Sequence, residues 1–137
     1  MNLKNPKKIL INPFTRENYR NISLEHLKIV LKLLKPFCVT LLDFEERYAF
    51  LKDEVAHYRA KTSLKEVKNL ILESDLYIGG DSFLIHLAYY LKKNYFIFFY
   101  RDNDDFMPPK NENFLKAHKS HSIEQDLAKK FRHLGLL

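Results

Sequence analysis

Residues 75–100 read DLYIGGDSFLIHLAYYLKKNYFIFFY, and the order of residue types in this stretch decides the fold. The apolar run Leu76–Ile78 is too short for a helix, and Gly79-Gly80 let the backbone turn with no Cβ penalty. Asp81 or Ser82 then caps a helix predicted over Ser82–Lys92, apolar on most sides and therefore deeply packed. Tyr95–Tyr100 follows as a strand rich in aromatic residues. Ser82 and His86 stand four residues apart, so they share a helix face and lean toward its N-terminus. The free N–H groups and the dipole of such a helix start favour an anion. Two readings remain open at this level. One is a helix start facing a phosphate; the other is a capped core helix whose His86 satisfies a buried backbone group.

Working outward, Ile9–Asn12 forms a short strand stopped by Pro13. Asn21 or Ser23 can cap a helix with apolar positions Leu24, Leu27, Leu31 and Leu34, ended by Pro36. Phe37–Leu42 reads as a second strand, Asp43–Asp53 as a polar and partly helical segment, and Val55–Tyr58 as a third short strand. Ser63-Leu64-Lys65-Glu66 has capping-box spacing and opens a helix to about Ser74. Arg101–His121 reads as mostly loop, and Ser122 with Gln125 opens a last helix ending near Gly135. Strands alternating with helices imply a parallel sheet covered on both faces. The expected fold is one Rossmann-like α/β domain over residues 1–137, three layers deep, with about five strands. In the order 3-2-1-4-5 usual for this class, ligands bind beyond the carboxyl ends of the first and fourth strands. Those ends are residues 13–20 and 79–82.

Composition sets the remaining bounds. A chain of 137 residues with 46% hydrophobic side chains can bury one core. Its single cysteine, Cys38, allows no internal disulfide and suits a reducing compartment. No apolar run is long enough to span a bilayer, and MNLKNPKKILINPF is too short in its apolar part for a signal peptide, so a cytoplasmic location is expected. A formal charge of +6 and a pI near 9.3 favour anionic partners such as nucleotide phosphates or an anionic membrane surface. No nucleic-acid-binding motif accompanies the scattered lysines, so nucleic acid is not the expected partner.

The central block resembles the C-terminal, donor-binding half of glycosyltransferase family 9, the heptosyltransferases of lipopolysaccharide biosynthesis. That family's signature is Asp, Ser or Thr, Gly, two variable residues, His, Leu and Ala. It stands here as Asp81-Ser82-Phe83-Leu84-Ile85-His86-Leu87-Ala88, with Phe83 at the position of the glycine. The resemblance implies the C-terminal half of a GT-B glycosyltransferase. Gly80, Asp81 and Ser82 would hold the diphosphate of a nucleotide-sugar donor, such as an ADP-heptose, and His86 would support that turn or reach the donor. A basic residue after the first strand also meets the phosphates in the family, which nominates Arg16 and Arg20 beside Thr15. A carboxylate after the second strand receives the ribose, which nominates Glu45 or Glu46. The loop Asp104–Pro109 is similar to the segment that borders the family's donor pocket.

These enzymes carry the acceptor site and catalytic base on an N-terminal half, and only seven residues precede Lys8. The expectation is therefore donor binding, with catalysis requiring a partner that supplies the acceptor domain and with peripheral association at the inner membrane face. A non-catalytic binding or interaction module derived from a glycosyltransferase is the alternative. Other chemistries fail on spacing. Gly80-Asp81-Ser82-Phe83-Leu84 lacks the last glycine of a nucleophile elbow. With three glycines in the chain, neither a dinucleotide fingerprint nor a Walker A loop can be written. No catalytic residue, metal or cofactor is assigned.

Overall fold

The run Ile9-Leu10-Ile11 shows no polar alternation, as suits a strand buried on both faces. The computed structural model describes residues 7–15, 21–80, 82–99, 114–116, 123–133 and 135. In it β1 (Lys8–Asn12) lies between β2 (Cys38–Asp43) and β4 (Leu76–Gly80), parallel to both. Beyond them come β3 (His57–Ala60), β5 (Tyr95–Phe99) and β6 (Phe114–Lys116), giving the wholly parallel order β3-β2-β1-β4-β5-β6. The five expected strands stand in their expected order.

Strand alternation sends successive side chains to opposite layers. Ile9, Ile11, Leu41, Ile78, Phe96 and Phe98 meet α1 (Leu24–Leu33) and α4 (Ile123–His133) through Leu27, Val30, Leu127 and Phe131. Leu10, Leu42, Tyr77 and Ile97 meet α2 (Leu64–Glu73) and α3 (Phe83–Tyr90) through Val67, Ile71, Leu84, Ile85 and Ala88. The predicted caps of the first two helices form. Ser23 Oγ accepts from His26 N–H and Ser63 Oγ from Glu66 N–H, each at 3.2 Å.

Four expectations are corrected. β4 does not stop at Ile78: Gly79 and Gly80 continue it, pairing with Ile97 and Phe98. The reason is Tyr77, whose fully buried ring folds along the strand over Gly79. A Cβ there would lie 2.5 Å from the Tyr77 hydroxyl and 2.8 Å from its ring carbons, so the glycine serves close approach rather than a turn. β3 begins at His57 because its place is set by pairing with Thr40–Asp43, not by Val55, which packs against the core before the strand starts. β6 lies inside the expected loop, as three residues are too few for a periodic signal.

The fourth correction concerns α3, which buries one face only. Leu84, Ile85 and Ala88 are covered, whereas Phe83 is 63% and Tyr90 83% exposed. A helix with one sheet beneath it has one face to bury, however apolar the rest. It also ends two residues early, at Tyr90. Lys92 takes the left-handed conformation (φ 59°), Lys93 N–H reaches Ala88 O and Lys92 N–H reaches Tyr89 O, both at 3.0 Å. That is a Schellman ending with lysine in glycine's usual place.

Gly79→Ala is expected to destabilise the fold by about 1–3 kcal/mol, since the buried Tyr77 ring has nowhere to retreat. Urea unfolding measures this, and unchanged stability would contradict the packing described.

Candidate functional site

β1 and β4 part company at their carboxyl ends, where Asn12 pairs with Gly79. Asn12 is buried; its Nδ2 donates to the Tyr77 hydroxyl (3.3 Å) and its Oδ1 accepts from Phe14 N–H (3.3 Å). The loop after β1 is drawn closed at its base, because Ile22 N–H donates to Pro13 O (2.9 Å). Thr15 is buried and gives both its N–H (2.6 Å) and its hydroxyl (3.0 Å) to Asn21 Oδ1. Its role in this geometry is to hold the loop's shape. Arg16 and Arg20 lie outside the described residues.

On the β4 side, Gly80 is buried at the strand end, Asp81 lies outside the described residues, and Ser82 is the N-cap of α3 in extended conformation. Its hydroxyl does not cap the helix as the sequence suggested. Ser82 Oγ is buried and has no hydrogen-bond partner among the described residues. Burial holds the Tyr77 hydroxyl well above the usual tyrosine range, with the Asn12 hydrogen bond drawing it partway back. A buried hydroxyl without a partner costs about 1–3 kcal/mol, and here it stands at a helix start. His86 is exposed, one turn into α3.

One strand over, the β2 loop is organised by a residue that local pattern did not single out. Asp43 is fully buried, and its carboxylate accepts from Arg47 N–H (2.9 Å), Tyr48 N–H (2.7 Å) and the Tyr58 hydroxyl. The signal that could have found it is an acidic residue ending an apolar strand with a tyrosine on the next one. Glu45 is exposed and paired with Arg47 (2.8 Å), while Glu46, at φ 55°, pairs with Lys61 (3.3 Å). Thr15, Gly80 and Ser82 thus gather at the ends of β1 and β4, with Glu45 on the neighbouring β2 loop. The Asp104–Pro109 loop and Ser122 lie outside the described residues.

A cleft of about 150 Å³ opens at the opposite, amino edge of the sheet, between Lys8, Cys38, Thr40, His57, Arg59 and the end of α2. It is far from the carboxyl ends where parallel α/β sheets take ligands. Among the described residues, no group of three or more His, Cys, Asp or Glu side chains could hold a metal ion. No helix among them is long and apolar enough to cross a membrane.

A wholly parallel sheet in this order, with strand connections reversing between β1 and β4, defines the Rossmann-like α/β class. The chain belongs to glycosyltransferase family 9 (heptosyltransferase), whose family model matches residues 44–134. That match begins beyond the β1 loop and includes the whole Asp81–Ala88 signature. Among solved structures, the fold is similar to ADP-heptose lipopolysaccharide heptosyltransferase II of E. coli, with TM-score 0.72 and 18% identity over 94% of this chain and 46% of that one. It is equally similar to E. coli heptosyltransferase WaaC with ADP-2-deoxy-2-fluoro heptose (TM-score 0.72, 15% identity, 98% of this chain and 45% of that one). TibC, a dodecameric iron-containing heptosyltransferase in complex with ADP-D-β-D-heptose, matches with TM-score 0.66 and 14% identity over 98% of this chain and 49% of that one. The chain therefore spans about half the length of these proteins, and over that half its α/β sheet matches the GT-B heptosyltransferase fold. No curated protein matches it.

Burial and the Asp43 hydrogen bond push the Tyr58 hydroxyl up to about 12. Folding thus favours its protonated form, so the bond's contribution is complete below pH 10 and fades as pH climbs from 10 through 12. Tyr58→Phe is expected to cost about 1–2 kcal/mol at pH 7, a difference from wild type that shrinks across that alkaline window. Urea unfolding from pH 7 to 12 checks it; a pH-independent difference would contradict it.

Proposed function

We propose that residues 1–137 form one nucleotide-sugar donor-binding unit of a glycosyltransferase family 9-like protein. It acts in the transfer of a heptose-like sugar to lipopolysaccharide or a related glycan. The observation that carries this reading is the Ser82 hydroxyl, buried at the start of α3 where β1 and β4 diverge and without a partner among the described residues. The N–H groups at that helix start and its dipole suit a diphosphate. Gly80 and Asp81 would complete the turn around the diphosphate, with Ser82 donating to a phosphate oxygen. Arg16 and Arg20 would balance the charge from the loop that Thr15 shapes. Glu45 would receive the ribose, its two oxygens accepting from paired hydroxyls, and His86 would reach the donor from the next turn.

In the transfer step these contacts would stabilise the charge that builds on the departing nucleoside diphosphate. The acceptor hydroxyl and the base that deprotonates it would come from another unit, supplied by an acceptor-domain protein. A cytoplasmic site of action, at the inner face of an anionic membrane, accords with the +6 charge.

A second reading, a non-catalytic binding module derived from such an enzyme, is favoured by Phe83. It stands 63% exposed at the first turn of α3, where the signature has glycine.

Calorimetry with ADP, UDP and GDP, with and without an attached sugar, separates the two. The donor-binding reading expects saturable binding that weakens roughly tenfold in Ser82→Ala, and also weakens in Asp81→Ala and His86→Ala. Folded wild-type protein that binds none of these ligands at millimolar concentration would leave only the second reading.

A further inference from the structure

α2 covers only part of the sheet face beneath it. Lys8 stands level with Cys38, Thr40 with Leu10 on one side and His57 on the other, and Leu42 with Arg59. Strand alternation therefore puts Lys8, Cys38, Thr40, His57 and Arg59 on the face that also carries Leu10 and Leu42. Val67 and Ile71 of α2 share a core with those two leucines. Toward the amino edge the face is left open as the cleft of about 150 Å³, which Glu73 at the end of α2 also lines. Lys8, His57 and Arg59 are exposed, and none has an ion-pair partner among the described residues. Cys38 and Thr40, half-buried on β2, lie between them because β2 runs between β1 and β3. Basic side chains on an edge strand such as β3 also deter pairing with another chain. That does not account for Lys8, which stands on an inner strand.

We infer that this cleft binds a single phosphate group, free or as the monoester of a small metabolite, between Lys8 on one side and His57 and Arg59 on the other. The site lies at the opposite edge of the sheet from α3 and does not depend on the reading made there. Its donors suit the ligand. A guanidinium offers a fork of N–H groups to two phosphate oxygens, an ammonium adds a compact positive charge, and imidazole and the Thr40 hydroxyl can each donate one further hydrogen bond. A recessed cleft with an excess of one sign of charge also concentrates its counter-ion. The volume sets the size limit. It is well below the roughly 300 Å³ at which pockets begin to take larger ligands, and Glu73 repels additional negative charge, so a nucleoside diphosphate is excluded.

Cys38 is the only cysteine of the chain, so its alkylation by iodoacetamide reports on the floor of the cleft. The test follows that rate while inorganic phosphate, glycerol 3-phosphate or ADP replaces chloride at constant ionic strength, with backbone amide shifts as a second readout. Phosphate is expected to slow alkylation saturably and to move the amides of Thr40, His57 and Arg59, whereas ADP does neither. Lys8→Gln and Arg59→Gln should each raise the phosphate concentration required by about tenfold. Lys28→Gln, an exposed change on α1 in the opposite layer, should leave it unaltered. Protection by glycerol 3-phosphate as well would assign the site to a monoester, and protection by phosphate alone would assign it to the free ion. Neither slowing nor amide shifts at tens of millimolar phosphate would overturn the inference. Equal protection by ADP, or equal weakening in Lys28→Gln, would also overturn it, since the effect would then follow overall charge rather than this cleft.

Discussion

β1 is hydrogen-bonded along both edges, to β2 from Lys8–Cys38 to Ile11–Leu41 and to β4 from Ile9–Leu76 to Asn12–Gly79. Its apolar residues Ile9, Leu10 and Ile11 are at most 1% exposed, so the strand feeds both cores at once. Every other element takes its position from that double pairing. The chain runs outward from β1 to β3 on one side, crosses back to β4, and runs outward again to β6. Parallel strands joined this way leave a crevice where the direction reverses, and that crevice lies at Asn12 and Gly79.

The tight packing behind the crevice explains its front. Tyr77 lies flat along β4 because Gly79 has no side chain, and its hydroxyl meets Asn12 from β1. That one contact ties together the two strand ends from which the loop after β1 and the start of α3 emerge. The Ser82 hydroxyl, buried at the start of α3 and without a hydrogen-bond partner among the described residues, retains capacity for a ligand. Asp43 plays the parallel part on β2, spending its carboxylate on backbone and Tyr58 so that Glu45 and Arg47 project outward.

Much of this was legible locally. Unbroken apolar runs marked the buried strands, and Ser23 and Ser63 marked helix starts because a cap acts within three residues. The Asp81–Ala88 signature pointed to the family, and the fold class supplied the strand order. What escaped depends on partners distant in sequence. The need for Gly79 is a property of Tyr77's ring direction, and Asp43 shows its function only beside Tyr58, fifteen residues on. Lys8, His57 and Arg59 share a face only once β1, β2 and β3 are neighbours. The exposed outer side of α3 was misread because apolar content says nothing of how many faces a helix has available to bury.

The central claim is that the carboxyl edge of the sheet, around β1 and β4, is where a nucleotide binds. Titrating ADP into isotope-labelled protein and following backbone amide shifts by NMR tests it most directly. Shifts should concentrate at Phe14, Thr15, Phe44–Arg47, Gly80 and Ser82–His86, with Lys8, Cys38, His57 and Arg59 at the amino-edge cleft unmoved. Shifts centred on that opposite cleft, or none at saturating ADP, would contradict the account.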